Sequence, residues 1–197
     1  MLKEKLKHHR LILASGSPRR QEFFKNLGLD FEIQLKPVKE EYPPRLIHFE
    51  ISNYLAQLKA LAFKDNLQPK DILITSDTIV WHNNTALGKP RDSQEAFNIL
   101  KSLNNATHEV ITSVCFTTTN YTKTLYSITK VTFKELSDDE INYYIKNYQP
   151  FDKAGAYGIQ EWIGQIGVTK IEGSYFNVMG LPVHLVYKTL NAIAETT

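Results

Sequence analysis

Apolar positions along this chain fall into short runs and two periodicities. Residues 11–14, Leu-Ile-Leu-Ala, are a compact apolar run that predicts a buried strand. The chain then turns through Ser15, Gly16 and Ser17. Pro18 suits the first position of a helix, where its missing N–H would be unpaired anyway, and Ser17 is the candidate cap. That helix carries Phe23, Phe24 and Leu27 on one face and stops at Gly28. Phe31, Ile33 and Leu35 alternate with polar residues and predict a second strand. Residues 36–45 hold Pro37, Pro43 and Pro44 and predict an ordered loop with the acidic pair Glu40 and Glu41. Helical spacing of Ile47, Ile51, Leu55, Leu58 and Ala62 predicts a long helix over about residues 46–63, with Lys59 projecting from its later turns.

Residues 71–81 form an apolar strand that Ser76, Asp77 and Thr78 are expected to break; Asn83-Asn84 is a turn and residues 87–90 are a loop. Asp92 and Glu95 are a capping pair for a helix with Ala96, Ile99, Leu100 and Leu103 inward. Residues 110–118 and 124–133 read as two long strands joined like a hairpin at Asn120-Tyr121. Ser137 and Glu140 form a capping box for a helix with Ile141, Tyr144, Ile145 and Tyr148. Residues 150–160 are a loop punctuated by glycine and alanine. A strand over 166–171, a turn at 172–174 and a closing helix after Gly180-Leu181-Pro182 complete a mixed α/β domain with parallel and antiparallel pairings.

The chain has 197 residues, 42% hydrophobic and 22% charged, an ordinary globular composition long enough to bury a sizeable core. It is expected to form a single domain over 1–197, with residues 1–10 as a partly flexible N-terminal extension. A net charge of +2 disfavours a general nucleic-acid binder, so local basic spots must serve something small. The single cysteine, Cys115, reads as a buried thiol. The apolar run after the basic start is too short for a signal peptide, and no stretch approaches a membrane span. A cytoplasmic protein is expected.

Candidate chemistry concentrates at the first strand–turn–helix. Such a turn aims several backbone N–H groups and the helix dipole at one spot. Arg19 and Arg20 then place two guanidinium forks in a first turn where cations disfavour the helix itself, which makes sense around an anion such as a polyphosphate. A surface turn with two solvated arginines fits the same stretch. Asp77, near the carboxyl end of an apolar strand, could bind a metal or take a proton from water, or could bond its own backbone as a turn aspartate. Glu40 and Glu41 suit a magnesium site that retains waters, or plain solvation. Lys59 and Lys89 could meet phosphate oxygens, and Gly88 and Pro90 imply a fixed loop around Lys89. Asp152, Lys153 and Gln160 bracket small residues that permit close approach to a ligand, and a glutamine offers donor and acceptor to a base edge; a tight structural loop is the other reading.

In order along the chain stand Leu13-Ala14-Ser15-Gly16-Ser17-Pro18-Arg19-Arg20, Ser76-Asp77-Thr78, Gly88-Lys89-Pro90, the run Asp152-Lys153-Ala154-Gly155-Ala156-Tyr157-Gly158-Ile159-Gln160, and Val178-Met179-Gly180-Leu181-Pro182. This set resembles the Maf family of nucleoside triphosphate pyrophosphatases, once described as septum formation inhibitors, over nearly the whole chain. The resemblance implies a long bent mixed sheet flanked by helices, two lobes around a deep cleft and an inosine triphosphate pyrophosphatase-like fold. It also implies a homodimer, a divalent cation (magnesium or manganese), and cleavage of the α–β anhydride to monophosphate and pyrophosphate. Carried over by position, Ser15, Arg19, Arg20, Lys59 and Lys89 line the phosphate site, Glu40 and Asp77 hold metal, and Asp77 is the general base. Arg20, Thr78 and Gln160 match the specificity positions of the subgroup that prefers dTTP and UTP. The chain departs from the family pattern in two places: Glu161-Trp162 follow Gln160 where many relatives have glycine, and Lys39 precedes Glu40 where an acid is common.

Two other classes fit parts of the pattern. A regulatory nucleotide-binding protein acting on cell division would need the phosphate cradle but no base. A nucleotidyltransferase would need an acceptor site that no motif supplies. Asp77 and Glu40 favour the hydrolase, because carboxylates beside a polyanion impair plain binding unless a metal intervenes.

Overall fold

The fold was obtained as a computed structural model that describes residues 1–196; residue 197, the last of the expected domain, lies outside them. Among the described residues seven strands form a mixed sheet in the order β2-β1-β3-β5-β6-β7, with β4 added beside β3. They are β1 (Arg10–Leu13), β2 (Glu32–Ile33), β3 (Asp71–His82), β4 (Thr85–Leu87), β5 (Thr107–Thr117), β6 (Thr122–Phe133) and β7 (Val168–Glu172). Strand β1 is parallel to both β2 and β3, whereas β3–β4 and β6–β7 are antiparallel. Helices flank this sheet, and the chain divides into two compact units.

The first unit comprises Met1–Asp77, Thr112–Ser127 and the chain from Gly180 onward. Its helices are α1 (Leu2–Lys5), α2 (Pro18–Asn26), α3 (Phe49–Leu61) and α8 (Val183–Thr196). The N-terminal residues contribute buried Leu2 and Leu6, and Lys5 pairs with Glu195 at 2.7 Å. A two-pronged Arg10–Asp71 pair, with Nε–Oδ1 at 2.9 Å and Nη2–Oδ2 at 2.6 Å, joins the residues that open the parallel β1–β3 register. The core packs Ile12 and Leu73 of the sheet against Ala56 and Ala60 of α3, with Cys115 buried among them as expected.

Three expectations change here. The strand over 71–81 is not broken at Ser76-Asp77-Thr78: β3 runs through all three, with the preceding Thr75 donating to Ala56 O at 2.7 Å and Asp77 paired with Lys59 at 2.7 Å, while the buried Ser76 Oγ has no partner among the described residues. Helix α3 begins at Phe49, after His48 with φ 54° interrupts the chain, so Ile47 stays 60% exposed. The second strand shrinks to two residues, with Ile33 47% and Leu35 63% exposed; Phe31 instead packs on Phe24 with ring centroids 5.4 Å apart.

The second unit comprises Thr78–Ile111 and Ile128–Met179. It holds α4 (Ser93–Leu103), α5 (Asp138–Tyr148), α6 (Trp162–Gly167) and α7 (Tyr175–Val178). Asn83 and Asn84, with φ of 47° and 58°, form the expected turn between β3 and β4. Both capping motifs form: Asp92 accepts from Glu95 N at 2.8 Å, and Ser137 with Glu140 makes the reciprocal box. The strand expected over 166–171 starts at Val168, since α6 takes the residues before it.

The core of this unit gathers Leu100, Leu103, Val131, Phe133, Ile141 and Tyr144 around a buried His108. His108 Nε2 shares a 2.8 Å hydrogen bond with Tyr157 Oη, while Nδ1 has no partner. Burial, with His82 adding to it, pushes the imidazole down to about 3. The unfolded chain takes up this proton near pH 6.5 and the folded protein does so only near 3, so stability falls as pH drops between those values. The slope from this one group approaches about 1.4 kcal/mol per pH unit. His108→Gln is expected to lose that component, seen as a flatter dependence of urea-unfolding free energy between pH 6.5 and pH 4. An unchanged slope would remove His108 as its source.

Candidate active site

In the first unit, β1 delivers the chain to Ser15, which is buried and whose Oγ accepts from Ser17 N at 3.2 Å. Ser17 is the N-cap by position, with extended φ −70° and ψ 117°, but its side chain makes no capping bond; Ser15 does the local work instead. Pro18 opens α2 as expected, which leaves Arg19 and Arg20 in its first turn. Arg20 is partly buried and anchored: Nε donates to Gly180 O at 2.7 Å and Nη1 to Ser76 O at 3.0 Å. One guanidinium therefore ties α2 both to the residue before Asp77 and to the Gly-Leu-Pro turn that opens α8. Burial pushes this guanidinium below its usual value, and the nearby Asp77 charge works against that.

Asp77 follows the last β1-paired residue of β3, Ile74, by three positions, where the parallel neighbour has ended and α2 begins. Alternation along β3 places Leu73, Thr75 and Asp77 on the face that packs on α3, and Ser76, Thr78 and Val80 on the other. Lys59 Nζ reaches both Asp77 Oδ1 at 2.7 Å and Glu40 Oε1 at 2.9 Å. Asp77 is buried and Glu40 half-exposed, so one ammonium joins a dry carboxylate to a wet one. Burial raises the Asp77 carboxyl above the usual range, and the opposing pull of Lys59 and Arg20 does not cancel it. The acidic pair splits: Glu41 turns away to Lys39 at 2.6 Å on the surface.

Glu40 and Asp77 form a hard, all-oxygen donor pair that already accommodates a cation, the Lys59 ammonium. Among the described residues no group of three or more His, Cys, Asp or Glu could hold a metal ion. Two carboxylates without a protein cage fit a divalent ion of the magnesium type, which keeps waters and takes phosphate oxygens as further ligands.

In the second unit, Thr78 is partly buried on the face of β3 that also carries Val80. Lys89 is exposed in the loop after β4, and Gly88 O accepts from Gly155 N at 3.1 Å, fixing that loop to the glycine-rich run. Gly155 has φ 71° and lies so close to Val80 that a Cβ would sit 2.6 Å from its methyl carbon. Gln160 is partly exposed, and its amide has no hydrogen-bond partner among the described residues. Sequence reasoning gave no role in this loop to Tyr144, which accepts from Gly158 N at 3.0 Å, or to Gly164, where a Cβ would meet Ile159 O at 1.9 Å; it noted Glu161 only as a departure from the family pattern, and the structure bonds it to Tyr144. The glycine at 164 was the available signal, since it costs helix stability in α6 unless a close approach requires it.

The chain is 63% identical over 193 residues to the dTTP/UTP pyrophosphatase of Flavobacterium johnsoniae, covering 98% of this chain and 100% of that one. It is 49% identical to the protein of that name in Phocaeicola vulgatus, over 96% of this chain and 99% of that one. For the Porphyromonas gingivalis protein of that name, identity is 44% over 98% of each chain. The Staphylococcus aureus Ham1 protein shares the fold, with a TM-score of 0.52 at 16% identity over 93% of this chain and 99% of that one. Residues 10–193 match the family model for Maf-like proteins, so the chain belongs to the Maf family.

Proposed function

We propose that this protein hydrolyses nucleoside triphosphates at the α–β anhydride, dTTP and UTP before others, releasing the monophosphate and pyrophosphate. The observation that carries the proposal is the buried Asp77 held at 2.7 Å by Lys59, which also takes Glu40, beside the Ser15–Arg20 turn. The relatives named dTTP/UTP pyrophosphatase, up to 63% identical over essentially the full chain, support the same reaction.

Asp77 is the general base: its oxygen takes the proton from the water that attacks the α-phosphorus, in line with the departing pyrophosphate. Burial makes this carboxylate a stronger base than an exposed one. Ser15, Arg19, Arg20, Lys59 and Lys89 bind the phosphates and stabilise charge on the leaving group. Arg20, fixed by Ser76 O and Gly180 O, joins Thr78 and Gln160 in selecting the base. Glu40 and Asp77 would hold a divalent cation, magnesium or manganese, which when bound neutralises phosphate charge and acidifies water. The homodimer enters the proposal from the family resemblance, and the cytoplasmic location from the sequence reading alone. The net charge of +2 favours a small substrate over nucleic acid, and no helix among the described residues is long and apolar enough to cross a membrane.

Product analysis tests the proposal. With Mg²⁺ and dTTP, equimolar dTMP and pyrophosphate are expected. Release of orthophosphate with dTDP would overturn the cleavage position. Binding without any hydrolysis would instead favour a regulatory nucleotide-binding protein.

A further inference from the structure

Glu161 occupies the N-cap position of α6, yet its carboxylate makes no capping bond to the helix. It turns back instead. Oε2 accepts the hydroxyl of Tyr144, a fully buried residue of α5, and Oε1 lies 3.2 Å from Lys153 Nζ. Lys153 is itself only 8% exposed and also pairs with Asp152 at 2.6 Å. The Tyr144 oxygen in turn accepts from Gly158 N at 3.0 Å. Glu161 N donates to Gly158 O at 3.0 Å, which closes a four-residue turn with Ile159 and Gln160 at its centre.

Both ends of that turn are therefore held by the same buried network. Gly158 is held through Tyr144, and Glu161 through its own carboxylate. Steric fit narrows it further: a Cβ at Gly158 would lie 2.7 Å from the Glu161 carboxyl carbon, and Gly164 backs directly onto Ile159 O. Within this rigid frame only the Gln160 side chain faces no hydrogen-bond partner among the described residues. A fully satisfied buried polar network fixes one geometry, and a half-satisfied one costs it. We infer that Glu161 is a positioning residue: by gripping Tyr144 and Lys153 it fixes the 158–161 turn and so the direction in which Gln160 presents its amide. The inference rests on the proposed role of Gln160 as a reader of the base.

Glu161→Gln isolates the effect, because its amide can accept from Tyr144 or Lys153 but turns N–H groups toward the other donor. The readout is the ratio of kcat/KM for dTTP over ATP in the full-length protein with Mg²⁺. Sub-ångström to one-ångström misplacement of a recognition group costs up to roughly a hundred-fold. We expect the ratio to fall about ten-fold in Glu161→Gln, chiefly through KM for dTTP, with kcat held within about two-fold. In a Gln160→Ala background the same substitution should change the ratio less than about two-fold, since coupled residues are not additive. Tyr144→Phe, which deletes one oxygen, should reproduce the loss and carries the test if Glu161→Gln does not fold. An unchanged ratio, an equal loss for every triphosphate, or full additivity with Gln160→Ala would each overturn the inference while leaving the pyrophosphatase proposal standing. A wild-type protein that hydrolyses no triphosphate would overturn both.

Discussion

Asp77→Asn is expected to leave a folded protein that binds triphosphate and turns it over roughly 10²–10⁴ times more slowly, the usual cost of losing a general base. The amide keeps the size of the carboxylate, and its oxygen can still accept from Lys59 Nζ, which lies 2.7 Å from Oδ1 in the native chain. Folding should therefore survive: Asp77 sits on β3 with Thr75 and Ile79 on one face, and Lys59 keeps Glu40 as a charged partner once the Asp77 charge is gone. What the amide cannot do is take a proton. Single-turnover rates separate this loss from changes in affinity, and the spectrum of the folded protein controls for collapse. Glu40→Gln is the informative companion, because Glu40 shares Lys59 but is half-exposed and has no claim on the proton. Its effect should be read in the Mg²⁺ concentration needed for half-maximal activity rather than in the rate at saturation. Wild-type turnover in folded Asp77→Asn would take the base role away from Asp77.

The residues at this site were legible because their chemistry is local. A four-residue apolar run, three small residues and a proline specify strand, turn and helix start within ten positions, and β1, Ser15–Ser17 and α2 follow them. The asparagine turn and the two capping motifs were equally readable, since each needs only neighbours in sequence. Reading failed where a distant partner decided the outcome. Nothing near Ser76-Asp77-Thr78 announces that Ala56 O and Lys59 will satisfy polar groups inside β3, so the strand looked interrupted. The alternation at Phe31, Ile33 and Leu35 promised a half-buried strand, but only two residues pair with β1 and nothing covers the apolar side chains beyond them. Helix α6 was missed because Gly164 and Gly167 argue against a helix, and the reason for Gly164 is the carbonyl of Ile159 pressed against it. The dual commitment of Arg20 to Ser76 O and Gly180 O was likewise invisible, since it spans 56 and 160 residues of sequence.

Across the common triphosphates, dTTP and UTP are expected to be the best substrates, CTP weaker, and ATP and GTP poor, and Gln160→Glu is expected to erase most of that preference. Uracil and thymine present a carbonyl, an N3–H and a second carbonyl. The Gln160 amide matches two of these, its oxygen accepting from N3–H and its NH₂ donating to a carbonyl. That amide is partly exposed and uncommitted among the described residues, on a turn whose ends are fixed at Gly158 and Glu161. Thr78 adds a small hydroxyl and no bulk. Cytosine offers an unprotonated N3 and an amino group at the positions in question, so it can be met only if the amide exchanges its donor and acceptor ends. A purine adds a second ring. Sites built to hydrogen-bond one edge reject an edge that leaves their groups unpaired by as much as about 10⁴-fold, and an exposed, single-glutamine reader should achieve a lesser but clear part of that. In Gln160→Glu the ionised carboxylate keeps the acceptor for N3–H and loses the donor, so kcat/KM for dTTP should fall while that for ATP stays near its low starting value. The measurement is kcat/KM for each triphosphate at fixed Mg²⁺. A preference for GTP or ATP in the wild-type protein would overturn the base assignment and leave the cleavage chemistry at Asp77 untouched.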